Sequence, residues 1–223
     1  MSLSPGLLFD LDGTLVETDP THLAAFNDIL TGNGQPAVDQ HFYNTHIIGF
    51  QNAEIFGRLF PDLTEDDHRR LADEKEALFR SRAAGLHPAK GLLDFLAWAD
   101  AHAIPTAVVT NAPRANADLM IGALGLTGRF RHVVIGDEME FAKPHPLPYL
   151  TGIRLLGVDV ATSVAFEDSR SGLRAAVAAG LTTVGMATSL SPEALMEAGA
   201  HLAAPDFSDP ALLDLVRRTT GRG

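Results

Sequence analysis

Asp10 and Asp12 stand two residues apart in Leu7-Leu8-Phe9-Asp10-Leu11-Asp12-Gly13-Thr14. On an extended chain that spacing sends both side chains to one side, where two carboxylates repel unless a cation or a proton intervenes. Glu167-Asp168-Ser169 adds two more acids. Such a hard, oxygen-rich site suits Mg²⁺ and not zinc, and Mg²⁺ keeps positions open for water and phosphate oxygens. Lys143 supplies a point charge for a phosphoryl group, and Thr110 with Asn111 offers donors to its equatorial oxygens. A carboxylate can then act as nucleophile through an aspartyl-phosphate. Each group alone has an ordinary use: Asp-Gly turns a chain, Thr-Asn caps a helix, a loop lysine is solvated, Glu-Asp opens a helix. Their joint occurrence in this order is what points to phosphoryl transfer.

Elements must bring these groups together. Leu7–Leu11 reads as a buried strand that breaks at Gly13, and Thr106–Val109, His132–Gly136, Ser163–Phe166 and Thr182–Gly185 read as further short strands. Helix-period segments alternate with them: Gly91–Ala101, Arg114–Leu124, Pro146–Leu156 and Ser171–Ala179. Asp209-Pro210 starts a terminal helix. This alternation predicts an α/β fold, a Rossmann-like parallel sheet with helices on both faces. The four polar clusters would then follow four strands and meet in the crevice beyond their carboxyl ends. From Glu17 to His87 the pattern is helical only, with starts at Asp19-Pro20 and Thr64-Glu65-Asp66-Asp67 and another helix over Ala53–Phe60. That predicts an inserted all-helical domain over residues 17–87 in a core of 1–16 and 88–223, hinged near Leu15–Thr18 and Gly85–Pro88. Nothing in this reading uses Met1-Ser2-Leu3.

Phe9-Asp10-Leu11-Asp12-Gly13-Thr14-Leu15, Val109-Thr110-Asn111, Lys143-Pro144 and Glu167-Asp168-Ser169 together resemble the motifs of the haloacid dehalogenase-like hydrolase superfamily. The resemblance covers essentially the whole chain, and the helical insertion looks like that family's mobile cap. It implies that Asp10 attacks phosphorus and that Asp12 protonates the leaving alkoxide, then takes a proton from the hydrolytic water. It further implies that the Asp12 carbonyl ligates Mg²⁺, that Thr110 and Asn111 hold phosphoryl oxygens, that Lys143 neutralises developing charge, and that Asp168 with Glu167 binds or orients the metal shell.

An acid at Asp12 favours phosphate esters over organic halides, because only an alkoxide needs that proton. The phosphoglycolate phosphatase-like and β-phosphoglucomutase-like members look most similar. His22 and Lys75 fall where the mutases carry a cap histidine and lysine. Asn52, after Gly49-Phe50-Gln51, stands where a mutase would grip a second phosphate with arginine, a contact an amide cannot replace. Hydrolysis of a small phosphorylated metabolite, a sugar phosphate or phosphoglycolate, is therefore the first expectation. Intramolecular phosphate transfer is the alternative. A non-enzymatic phospho-acceptor module is a distant third, since such receivers are about half this length and lack the insertion.

Composition narrows the field. With 223 residues, 46% hydrophobic and 20% charged, the chain has ordinary globular composition. A net charge of −11 argues against nucleic-acid or anionic-membrane partners, and demands a local cation for an anionic substrate. The absence of cysteine excludes disulfides and thiolate metal sites and suits a reducing cytoplasm. No apolar run approaches the roughly 18 residues that span a bilayer, and the N-terminus lacks the pattern of a signal peptide.

Overall fold

The computed structural model describes residues 4–48, 50–83 and 85–223. Met1-Ser2-Leu3 and Gly49 lie outside the described residues. Six strands form one parallel sheet: β1 (Leu7–Phe9), β2 (Thr106–Thr110), β3 (His132–Ile135), β4 (Val164–Glu167), β5 (Thr182–Met186) and β6 (Leu202–Ala204), in the order β3-β2-β1-β4-β5-β6. This is the expected α/β sheet with one strand more. β1 sits centrally, flanked by β2 and β4. The chain winds outward from β1 to β3, then returns to β4, so the loops leaving β1 and β4 part in opposite directions and open a crevice.

The alternation of a strand distributes its side chains to two cores. Leu7 and Phe9 join one cluster with Phe95, Val108, Phe166 and Phe207, and Phe9 stacks on Phe166 with ring centroids 4.7 Å apart. Leu8 joins the other, with Ala107, Val109, Tyr149 and Ala165. Burial on both faces explains why these strands read as continuous apolar runs. Helices α5 (Leu92–Ala101), α6 (Arg114–Ala123), α7 (Leu147–Leu156), α8 (Arg170–Ala178), α9 (Pro192–Glu197) and α10 (Pro210–Thr220) complete this part. The last starts as its sequence suggests, with Asp209 accepting a hydrogen bond from the Ala211 N–H at 2.8 Å.

Between β1 and β2 lie α1 (Asp19–Gly32), α2 (Gln40–His46), α3 (Asn52–Leu59) and α4 (Glu65–Arg82), and among the described residues no strand interrupts them. They bury a cluster of their own, including Phe26, Leu30, Tyr43, Ile55, Phe56 and Leu71. Thr64 and Asp67 cap α4 reciprocally, as the acid three residues after the threonine suggests. The two connecting segments touch: the Ala89 N–H donates to the Leu15 carbonyl at 2.8 Å, and Val16 bridges Pro88. Among the described residues, no helix is long and apolar enough to cross a membrane.

Candidate active site

β1 ends at Phe9, so the chain leaves the extended form before Asp12. Gly13 takes φ +70, and a Cβ there would fall 2.2 Å from Asp168 Oδ2. Only glycine satisfies both the left-handed turn and that close approach. Asp10 and Asp12 both line the same cavity. Asp10 reaches Lys143 Nζ, while the Asp12 carboxylate accepts from Thr18 Oγ1 at 2.8 Å and His22 Nε2 at 3.0 Å.

Three carboxylates do converge. Asp10, Glu167 and Asp168 each place an oxygen within 4.8 Å of the others, all buried. Lys143 Nζ donates to Asp10 Oδ1 at 2.7 Å, to Glu167 Oε1 at 2.6 Å and to the Val109 carbonyl at 2.6 Å. Tyr149 Oη also donates to Glu167 Oε1, at 2.6 Å. The Glu167 carboxyl lies in the space that a side chain at Gly172 would fill. Ser169 caps α8 through its hydroxyl, so neither Glu167 nor Asp168 is needed for that job.

The electrostatics are unbalanced. Burial pushes the Asp10 carboxyl up to about 8; Lys143 opposes this and the Glu167 charge reinforces it. Burial, then the Asp10 charge, pushes Asp168 well above the usual range. Burial also acts against the Lys143 charge, but Asp10 and Glu167 outweigh it and hold the ammonium protonated. Ser189 Oγ lies 3.0 Å from Asp168 Oδ2 and 2.5 Å from Asp19 Oδ2, and its single proton cannot serve both. Three carboxylates share one ammonium, which leaves the cluster short of positive charge. An all-oxygen donor set with such a deficit fits a hard divalent cation such as Mg²⁺. Asp10 and Asp168 are the better placed ligands, because Glu167 already spends Oε1 on Lys143 and Tyr149.

Thr110 ends β2, buried, and its Oγ1 accepts from the Ala112 N–H at 2.9 Å. The side chain of Asn111 is committed elsewhere than expected. Its amide donates to the Lys143 carbonyl at 3.1 Å and accepts from the Lys143 N–H at 3.2 Å, so it braces the lysine loop. One N–H of the Asn111 amide is left for a phosphoryl oxygen, alongside its backbone N–H.

The helical segment contributes from above. Lys75 Nζ meets His22 Nδ1 at 2.8 Å. An ammonium only donates, so Nδ1 accepts and the ring hydrogen sits on Nε2, facing Asp12. Burial opposes ionisation of Asp12, but the hydrogen bonds from His22 and Thr18 and the Lys75 charge outweigh it, holding the carboxyl below its ordinary value. The His22 ring lies flat on Phe79, centroids 3.9 Å apart. Asn52 donates to Glu76 Oε1. Asp10, Asp12, Lys143, Thr110, Asn111, Asp168, His22, Lys75 and Asn52 thus line one cavity of about 300 Å³, with Glu167 directly beneath.

Sequence reading missed Thr18, Asp19, Glu76, Asn116, Tyr149 and Ser189. Asp19 does open α1, and its carboxylate also accepts from Ser189 Oγ. Thr18 holds the N-cap position of α1 without capping it, since its hydroxyl goes to Asp12. That unused cap was the one available hint. Glu76 sits in a charged run beside Lys75, and Asn116, Tyr149 and Ser189 are polar residues whose partners lie far off in sequence.

Fold and site together define an α/β protein with an oxygen-donor crevice at the sheet's switch point. A profile described as haloacid dehalogenase-like hydrolase matches residues 7–186. The phosphorylated carbohydrates phosphatase of Thermotoga maritima is 30% identical over 201 residues, 87% of this chain and 91% of that protein. The phosphoglycolate phosphatase of Xylella fastidiosa is 32% identical over 182 residues, 80% of this chain and 78% of that protein. The crystal structure of CbbY from Rhodobacter sphaeroides in complex with phosphate superposes with a TM-score of 0.80 at 28% identity, covering 95% of this chain and 100% of that one. The chain belongs to the haloacid dehalogenase-like hydrolases.

Proposed function

We propose that the protein hydrolyses the phosphate monoester of a small metabolite through an aspartyl-phosphate on Asp10. The observation that carries this is the buried convergence of Asp10, Asp168 and Lys143 with a deficit of positive charge, beneath a cavity of about 300 Å³. Relatives named as phosphatases of phosphorylated carbohydrates and of phosphoglycolate support the substrate class.

An Asp10 oxygen attacks phosphorus as the ester P–O bond breaks, and Asp12 gives its proton to the departing alkoxide. Water then attacks phosphorus and gives a proton to Asp12; the bond to Asp10 breaks and phosphate leaves. Thr110 Oγ1, the Asn111 backbone N–H and Lys143 hold the phosphoryl oxygens. Lys75 and His22 orient Asp12. A phosphoryl dianion beside Asp12 acts against their influence and favours the protonated acid that the alkoxide needs. Asp10, Asp168 and the Asp12 carbonyl, with Glu167 behind them, would hold a Mg²⁺ ion, which would supply charge neutralisation. Residues 17–87 act as a cap on the 1–16 and 88–223 core, closing over the substrate and excluding water.

Hydrolysis is favoured over mutase chemistry because Asn52, bonded to Glu76, offers no charge to a second phosphate. The test is phosphate release from an aryl phosphate with Mg²⁺ present. EDTA should stop it, and Asp10→Asn should lower kcat by about 1,000-fold or more. Turnover that survives Asp10→Asn would remove the proposal.

A further inference from the structure

The cavity has a core end and a far end. The core end holds Lys143 and the strand termini. The far end holds Glu76, on α4 and only 6% exposed. Its Oε1 accepts from Lys75 Nζ at 2.8 Å and from the Asn52 amide, and its Oε2 accepts from the Asn116 amide. Burial opposes its charge, but Lys75 and these hydrogen bonds outweigh it and hold the Glu76 carboxyl below its ordinary value. Asp137, in the segment after β3, lines the same cavity and accepts from Gln51 Nε2 at 3.0 Å.

The cations at this end are already committed. Lys75 is spent on Glu76 and His22. Arg80 donates to Asn116 Oδ1 at 2.8 Å. Arg114 grips Glu138 through two contacts, at 3.0 and 2.7 Å. Among the described residues no arginine lines the cavity. A carboxylate or phosphate on the distal part of a substrate is acceptor-only, like Glu76 and Asp137 themselves. Brought against them without a donor or a cation between, it would be both repelled and desolvated. Hydroxyl groups, which donate, match such a wall.

We propose that Glu76 and Asp137 set the specificity of this site: the cavity takes a monophosphate whose far end is uncharged and rich in hydroxyls, and discriminates against a second anionic group there. The inference rests on the phosphatase reading and narrows its substrate class. It turns away from phosphoglycolate and from sugar bisphosphates, and toward polyol and sugar monophosphates.

Matched pairs test it. With Mg²⁺ present, kcat/KM is compared for glycerol 1-phosphate against 2-phosphoglycolate, and for a hexose 6-phosphate against the corresponding 1,6-bisphosphate. The neutral-ended member should win each pair by about tenfold or more. Asp137→Asn, at an exposed position, and Glu76→Gln, which releases Lys75, should each narrow the ratio by about threefold or more by raising turnover of the acidic member. Should Glu76→Gln fail to fold, Asp137→Asn still decides. Equal or reversed preference in the wild-type protein, with brisk hydrolysis, would overturn the proposal alone, as would ratios unmoved by Asp137→Asn. No phosphate release from any substrate, the aryl phosphate included, would overturn the phosphatase reading and the preference with it.

Discussion

Asp10 has to be a carboxylate to attack phosphorus, yet its surroundings favour the acid. Burial lifts its pKa from an ordinary 3.8 to about 8. Between those values the folded protein holds a proton that the unfolded chain has released, so this group's contribution to stability falls as pH rises through that window. Asp168 pushes in the same direction. A divalent cation competes with the proton and is favoured as pH rises. The Mg²⁺-induced increase in Tm should therefore be larger at about pH 8 than at about pH 5, as thermal melting with and without metal would show. An increment that shrinks with rising pH would contradict the assignment of these acids as ligands. The residues that carry this were legible from the sequence, because Asp10, Lys143 and Asp168 each follow a strand of one parallel sheet and Glu167 ends one. The partners of Asp12 were not: Thr18 and His22 reach its carboxylate only in the folded chain. Nor could spacing reveal Ser189 or Tyr149, whose roles exist only through contacts with residues 21 and 18 positions away in the folded chain.

The turn after β1 carries more of the site's geometry than any helix. It presents Asp12 to Thr18 and His22 and clears space for Asp168 at Gly13. Gly13→Ala would add strain at φ +70 and a collision with the Asp168 carboxylate. Displacing that carboxylate by a fraction of a bond length is enough to spoil its alignment. The variant should lose about 100-fold or more in phosphate release and melt at a lower temperature than the wild type. Near-normal activity would show that Asp168 has freedom this turn denies it. Other elements were legible where pattern and capping agreed, as in the Thr64 start of α4 and the Asp209 start of α10. β6 escaped because three residues, Leu202-Ala203-Ala204, have little strand preference and gain theirs from pairing with β5. α2 escaped because a seven-residue helix of His, Phe, Tyr and Asn has weak propensity, and is held by its Asp39 cap and by packing of Tyr43.

Across the whole molecule, a chain of net charge −11 must bind a dianion. The long-range field opposes that encounter, so attraction has to be local, from Lys143 and the proposed metal at the sheet's switch point. The helical segment adds more acids to the cavity (Asp19, Asp73 and Glu76) than cations (Lys75), which makes its contribution one of selection and orientation. The fold serves this division. A rigid parallel sheet fixes the charged centre on its central strand ends, and the α1–α4 segment, joined by two paired linkers, supplies the opposite wall. Everything then depends on whether phosphorus becomes bonded to the first aspartate. Enzyme quenched in acid during turnover, digested and analysed by mass spectrometry, should carry a phosphoryl group on the peptide containing Asp10, and that signal should vanish with EDTA. Full-rate phosphate release with Asp10 unmodified, or with the phosphoryl group on His22, would contradict the mechanism.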